Sequence, residues 1–233
     1  MTNSFARGLI MLPDIAANID AVRHEITRMC AHADVPENQP ELIAVSKVQP
    51  LEKVRAALEA GHRVFGENRV QEAEERWGTL KPEYDGVILH LIGSLQTNKA
   101  ADAVALFDVI QSVDRIKLAR ALAREMEKQS KSLPIYLQVN TGREDQKGGV
   151  LKEDLPALYN ECKNLGLSVV GLMCIPPVGD DPSLHFALLK KFAKELGLER
   201  LSMGMSGDYA LAAAMGATDI RVGTAIFGAR DYA

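Results

Sequence analysis

The 233-residue sequence is poor in cysteine, and this excludes a protein built on disulfides. Its three cysteines, Cys30, Cys162 and Cys174, are too few and too scattered for a disulfide framework. None belongs to a CxxC pair or to a Cys/His cluster with the spacing of zinc ligands. Because free thiols are typical of a reducing compartment, we expect a cytoplasmic protein without a metal site.

Long apolar runs and an excess of basic residues are also missing. The apolar patch at residues 8–12 ends at Pro13 and is far shorter than the roughly 18 residues of a membrane span. Lys and Arg together number 27 against 31 Asp and Glu, so the formal net charge is −4. This balance provides no broad basic surface for nucleic acid or an anionic membrane. We therefore expect a soluble protein with neither partner.

What is present is an alternation of short apolar runs with amphipathic helical patterns. Eight short strands are predicted, at residues 42–45, 63–65, 87–91, 107–111, 135–139, 167–172, 200–203 and 219–222. A helical pattern precedes the first strand, and another follows each strand from the first to the seventh, with Asp114 as the predicted cap of a long helix. The pattern suggests an α/β fold, a single (β/α)8 TIM barrel over residues 1–233. An open doubly wound sheet would look similar, although the GxGxxG signature is absent after the first strand.

Lys47 directly follows the first predicted strand, and barrel chemistry takes place at the carboxyl ends of strands. A lysine that loses solvation there can have its pKa lowered, and only the neutral amine attacks a carbonyl. This is the requirement for a Schiff-base lysine. Considered alone, however, an ordinary solvated lysine is the better interpretation.

The loops after strands seven and eight have the chemistry of a phosphate site. Residues 202–208 (SMGMSGD) lead into a helix, and residues 221–224 (RVGT) follow strand eight. Small residues expose backbone N–H groups, and barrels frequently hold phosphate between these two loops. Ser206 could instead be a helix cap and Gly223 a turn residue, and the residues alone leave both interpretations open.

Three other residues have a more ordinary interpretation beside a functional one. Asn68, after strand two, could bind a ligand, but capping its own helix is the commoner role. His90 lies within strand three and is expected to be a hydrogen-bonded interior histidine. Trp77 is expected to be a packing residue.

Taken together and in order, these segments resemble the pyridoxal phosphate homeostasis protein family, whose barrel is similar to the N-terminal domain of alanine racemase. The matching stretches cover nearly the whole chain: AVSK at 44–47, FGENRVQE at 65–72, HLIGSLQTNK at 90–99, VNTGREDQKGG at 139–149, SMGMSGD at 202–208 and RVGTAIFGAR at 221–230. Each piece is weak alone, and the ordered set is specific.

The resemblance implies a set of ligand-binding residues for pyridoxal 5′-phosphate (PLP). Lys47 would form the covalent aldimine, and Asn68 would lie near the ring. The phosphate would be held by Ser206, Gly207, Gly223 and Thr224. Arg221 would face the pyridine nitrogen. Because arginine cannot accept a proton, the ring nitrogen should stay unprotonated, and the ring is then a poorer electron sink.

The resemblance favours a non-catalytic PLP carrier that buffers the cofactor and delivers it to apoenzymes, with indirect effects on amino-acid and keto-acid metabolism. A lone barrel is expected to be a monomer. The alternative is an amino-acid racemase, which needs acid/base groups on both faces of the substrate. In such racemases the second base is a tyrosine of a C-terminal domain, whereas this chain ends at Ala233, and neither Tyr209 nor Tyr232 stands in a supporting motif.

Two further questions concern lysines. A Schiff-base aldolase would be expected to carry its lysine after strand six, where Met173 and Cys174 stand instead, so that interpretation is weak. Lys99 and Lys147 could bind a second cofactor molecule or nothing, and the sequence leaves this open.

Overall fold

The computed structural model describes residues 14–33, 39–144 and 146–229. The apolar patch at residues 8–12, Arg230 and Tyr232 lie outside these ranges. Eight parallel strands form a closed barrel in sequence order, and the closure pairs Leu42 of the first strand with Ile220 of the last. The (β/α)8 prediction is confirmed, and the open-sheet alternative is wrong.

The strands and helices alternate along the chain. The strands are β1 (Glu41–Val45), β2 (Val64–Glu67), β3 (Ile88–Leu91), β4 (Val109–Val113), β5 (Pro134–Val139), β6 (Ser168–Cys174), β7 (Arg200–Ser202) and β8 (Asp219–Val222). The helices are α1 (Ile15–His32), α2 (Leu51–Glu59), α3 (Val70–Glu83), α4 (Ala100–Leu106), α5 (Ile116–Lys128), α6 (Leu155–Asn164), α7 (Pro182–Leu196), α8 (Tyr209–Ala214) and α9 (Thr224–Phe227). A 3-10 turn, Thr97–Lys99, precedes α4. None of the helices in the described ranges is long and apolar enough to cross a membrane.

Burial follows the apolar pattern of the sequence. Ile43 and Ala44 of β1 are fully buried, as expected for a parallel strand covered on both faces. Helix α1 buries the side chains that recur at helical spacing: Ile15, Ile19, Val22, Ile26 and Cys30. Trp77 is fully buried as well, so the packing prediction is confirmed. All three cysteines are free and buried.

Several local predictions are wrong. Helix α5 has Arg115 as its N-cap, and Asp114 instead forms an ion pair with Arg115. Strand β4 begins two residues later than predicted because Phe107 packs at the end of α4, almost fully buried. Helix α9 was not predicted, since four residues are too few to show a period.

Asn68 and Ser206 were candidate helix caps in the site loops, and neither caps the helix that follows it. Helix α3 has Arg69 as its N-cap without a side-chain hydrogen bond, so Asn68 does not cap it. Helix α8 has Asp208 in that position, so Ser206 is not its cap. The ordinary interpretations of Asn68 and Ser206 are therefore removed.

A buried polar cluster fills the amino-terminal end of the barrel. The Tyr136 hydroxyl donates to Asp219 Oδ2 at 2.8 Å, and the Arg200 guanidinium donates to Asp219 Oδ1 at 2.7 Å. Burial raises the pKa of Tyr136 above its ordinary value, so the phenol keeps its proton. The cluster ties β5, β7 and β8 together at this end, and the candidate site lies at the opposite, carboxyl end of the strands.

Candidate functional site

A cavity of about 400 Å³ lies at the carboxyl ends of the strands, within the range of small-molecule sites. All seven residues that the sequence singled out line it: Lys47, Asn68, Ser206, Gly207, Arg221, Gly223 and Thr224. They come from the ends of β1, β2, β7 and β8. The closed barrel thus gathers residues that are as far apart as 177 positions in the chain, from 47 to 224.

Lys47 lies on a segment that is held on both sides. Ser46 is fully buried, and its hydroxyl donates to Glu67 Oε1 at 2.7 Å. Val48 has a φ of +52°, which is an uncommon conformation for a β-branched residue. The end of β1 is therefore a turn in which the half-buried Lys47 lies between the anchored Ser46 and a residue of uncommon backbone conformation.

The anchor carboxylate, Glu67, is fully buried at the end of β2. Its Oε1 also accepts from Arg76 at 2.7 Å and from the indole N–H of Trp77 at 3.1 Å. A buried carboxylate is tolerated when it is paired and hydrogen-bonded in this way. The sequence marked Trp77 only as packing, and it contained no signal that Glu67 supports the segment of Lys47.

The loops after β7 and β8 meet at Ser206. Its Oγ accepts from the backbone N–H of Gly223 at 3.2 Å and from that of Ala225 at 3.5 Å. Gly207 and Thr224 are exposed beside it. One hydroxyl and two backbone N–H groups therefore converge, which is a donor set suited to a phosphate.

Arg221 provides a buried positive charge in the cavity wall. Its side chain is 3% exposed, and its guanidinium donates to Ser202 Oγ at 2.6 Å and to the Cys174 carbonyl at 2.8 Å. Both acceptors are neutral, and no carboxylate in the described ranges forms an ion pair with Arg221. Burial lowers the pKa of Arg221, but a guanidinium remains protonated in a protein. An anionic ligand would compensate this charge.

Two polar residues of the cavity, Ser94 and Gln138, were not identified from the sequence. Ser94 lies in the HLIGSLQTNK stretch after β3, where its position after a strand was the available signal. Next to it, a Cβ on Gly93 would lie 2.3 Å from the backbone oxygen of Asn68. Glycine at position 93 is what allows this close approach, which sets the position of Asn68.

Lys99 and Lys147 do not line the cavity. The Lys99 ammonium pairs with Asp102 at 3.1 Å, and that of Lys147 pairs with Glu144 at 2.7 Å. His90 is buried and hydrogen-bonded to Gln111, as predicted. No cluster of His, Cys, Asp and Glu suited to a metal ion occurs in the described part of the chain.

A larger cavity, of about 830 Å³, runs along the outside of the barrel beside α5. Basic side chains from that helix and its surroundings line it, but none of the seven candidate residues does. Since none of the residues lining this groove lies at the carboxyl end of a strand, we place the candidate site in the smaller cavity.

The fold belongs to the class of barrels found in racemases. The family model for the alanine racemase N-terminal domain matches residues 17–231. The structure of an alanine racemase from Clostridium difficile superposes with a TM-score of 0.71 at 13% identity, covering 94% of this chain and 57% of that one. At this identity the likeness is one of fold alone.

The chain belongs to the pyridoxal phosphate homeostasis protein family. The Pseudomonas aeruginosa protein of that name is 41% identical over 224 residues, which cover 94% of this chain and 96% of that protein. PipY from Synechococcus elongatus, whose structure was solved with PLP bound, is 39% identical with a TM-score of 0.80. That match covers 92% of this chain and all of PipY. The resemblance stated from the sequence is confirmed.

Proposed function

We propose that this chain is a non-catalytic carrier of PLP, which buffers the free cofactor and delivers it to apoenzymes in the cytoplasm. The observation that carries the proposal is a cavity lined by a lysine, a buried guanidinium and a cluster of phosphate-type donors. The PLP-bound structure of PipY supports the choice of ligand. We also propose that residues 1–233 form one domain that acts as a monomer, without nucleic acid or membrane partners.

The residues present fit this cofactor. Lys47 would hold it covalently, and Asn68 would lie near its ring. Ser206, Gly207, Gly223 and Thr224 would bind its phosphate. Arg221 would face its pyridine nitrogen as a donor. When bound, PLP supplies an aldehyde that reacts reversibly with amines and a ring that withdraws electrons.

The lining of the cavity favours a carrier over a racemase. Of the described residues around it, only Lys47 and Arg221 have ionisable side chains, and arginine does not exchange its proton at neutral pH. Racemisation needs a proton-transfer group on each face of the substrate carbon. Tyr209 does not line the cavity, and burial raises its pKa. Lys47 can serve only one face of the substrate carbon.

The proposal is tested by adding PLP to the purified protein and following its visible absorbance. Borohydride reduction and peptide mapping should then find the cofactor on Lys47, and Lys47→Ala should abolish the labelling. Lys99→Ala, at a lysine outside the cavity, is the matched control and should leave it intact. A wild-type protein that cannot be loaded with PLP would refute the assignment.

The carrier and racemase alternatives are separated by two measurements on the loaded protein. A carrier should restore activity to an apo PLP enzyme when the two are mixed, and it should not exchange the α-proton of amino acids in deuterated water. Exchange at an enzyme-like rate would reject the carrier in favour of the racemase.

A further inference from the structure

Arg221 begins a line of hydrogen bonds that crosses the interior of the barrel. Its Nη1 donates to Ser202 Oγ at 2.6 Å, and Ser202 Oγ lies 2.6 Å from Gln111 Oε1. Gln111 Nε2 lies 2.8 Å from His90 Nδ1. The four side chains come from β8, β7, β4 and β3, and each residue is at most 3% exposed. The line therefore runs from the cavity wall into the core, out of reach of solvent.

The orientation of the Gln111 amide in the structure, together with the chemistry of the other side chains, determines the direction of every proton in this line. A guanidinium has no acceptor atom, so the Ser202 hydroxyl accepts from Arg221 and must donate to Gln111 Oε1. The Gln111 amide nitrogen can only donate, so His90 Nδ1 is an acceptor. His90 is thus neutral, with its proton on Nε2, a buried atom that has no hydrogen-bond partner in the described structure. Burial, which lowers its pKa to about 4, agrees with this state.

The line contains no negative charge. A buried arginine is commonly held by a carboxylate, which would neutralise it. Here the hydroxyl of Ser202 and the Cys174 carbonyl orient the guanidinium, and Gln111 and His90 in turn orient the hydroxyl. The guanidinium is therefore oriented by neutral groups, while the carboxylates of Asp219 and Asp208 act on its charge only from a distance, without an ion pair in the described ranges.

We propose that Ser202, Gln111 and His90 are positioning residues, which hold the Arg221 guanidinium against the ring of the bound cofactor while leaving its charge for that ligand. The inference rests on the proposed function, in which Arg221 faces the pyridine nitrogen. Its consequence is an effect at a distance, because a change at His90 reaches the cofactor only through Gln111, Ser202 and Arg221.

The sharpest test uses His90, the residue furthest from the cavity along the line. His90→Leu removes the acceptor for Gln111, whereas His90→Asn places an amide oxygen close to the position of Nδ1. We expect His90→Leu to weaken PLP binding about tenfold, the effect of losing one buried hydrogen bond, and to shift the visible absorbance of the bound cofactor. His90→Asn should remain near wild type in both measurements. Equal behaviour of the two variants would overturn the proposal.

A second pair of variants decides the matter if His90→Leu does not fold. Ser202→Ala breaks the line beside Arg221, and Ser112→Ala is a matched control. Ser112 is another fully buried strand serine, whose hydroxyl has no partner in the described structure. Ser202→Ala should shift the absorbance and speed cofactor release about tenfold, while Ser112→Ala should do neither. Loss of thermal stability in Ser202→Ala without either change would mean a purely structural role. Failure of the wild type to bind PLP would instead refute the proposed function.

Discussion

The ammonium of Lys53 lies 2.8 Å from the carbonyl oxygen of Phe227, and this bond ties α2 to the last residue of α9. Asn18 of α1 donates to the neighbouring carbonyl of Ile226, also at 2.8 Å. Both donors lie on helices outside the barrel, and both acceptors lie at the end of the turn that begins at Gly223. Because that turn lines the cavity, α1 and α2 hold the candidate phosphate-binding backbone in place.

Lys53→Met tests this support, because it keeps the length of the buried side chain and removes the donor. The Phe227 carbonyl would then be left without it, so we expect a loss of about 1–3 kcal/mol in the free energy of unfolding and faster release of PLP. Urea unfolding and the rate of loss of bound-cofactor absorbance measure the two effects. Lys190→Met is the control, because the exposed bond from Lys190 to the Met215 carbonyl is a comparable contact away from the cavity. Equal release rates in the two variants would contradict the prediction.

The double variant Ser206→Ala, Thr224→Ala tests the phosphate-binding role. It removes two hydroxyls from the cavity and leaves the backbone N–H groups and Lys47 unchanged. We expect weaker retention of PLP but continued labelling of Lys47 after borohydride reduction, since covalent attachment depends on the amine. Dialysis followed by peptide mapping measures both. Unchanged release would count against the phosphate assignment.

The sequence predicted the barrel because strand and helix periods are local properties of the chain. The boundaries that failed are ones that the apolar pattern does not mark. Phe107 was assigned to a strand by its apolar character, but its packing at the end of α4 shifts β4 along the chain. Helix α9 spans only four residues, too few to show a periodic pattern.

The cavity residues were accessible from the sequence because a barrel places loop residues after strands at one end, and because the quoted stretches resembled a known family. The residues that hold these cavity residues in place were not accessible from the sequence. Lys53 and Phe227 are 174 positions apart, and Ser202 and Gln111 are 91 apart. No local pattern marks such pairs, since each forms only when the strands close. The sequence identified Gln111 only as one residue of a predicted strand.

Glu67→Gln tests the anchor beneath Lys47. It removes the buried charge that pairs with Arg76, whose side chain is only 13% exposed, so an uncompensated cation remains. We expect a loss of about 3–5 kcal/mol in the free energy of unfolding. Glu83→Gln, which breaks the more exposed ion pair with Arg55, should cost far less, because solvent screens that pair. Urea unfolding distinguishes them, and similar costs would contradict the account of Glu67.

Two buried histidines predict how stability depends on pH. Burial lowers the pKa of His90 and that of His62 to about 4 in the folded protein. The His62 ring lies between the Arg23 guanidinium, at 3.2 Å, and the Val64 carbonyl, at 2.8 Å. In the unfolded chain a histidine has a pKa of about 6.5, so between about pH 6.5 and 4 the unfolded state binds more protons than the folded state.

The free energy of unfolding should therefore have its full value above about pH 6.5. It should fall as the pH drops toward 4, because protonation favours the unfolded chain. With both histidines contributing, the slope should approach about 2.7 kcal/mol per pH unit within that window. Urea unfolding at a series of pH values measures it. His90→Asn, which keeps the acceptor but cannot be protonated, should remove about half of the slope while leaving the protein folded at neutral pH. An unchanged slope in that variant would mean that His90 is already protonated in the folded protein, and the proton direction deduced for the line from Arg221 would then be wrong.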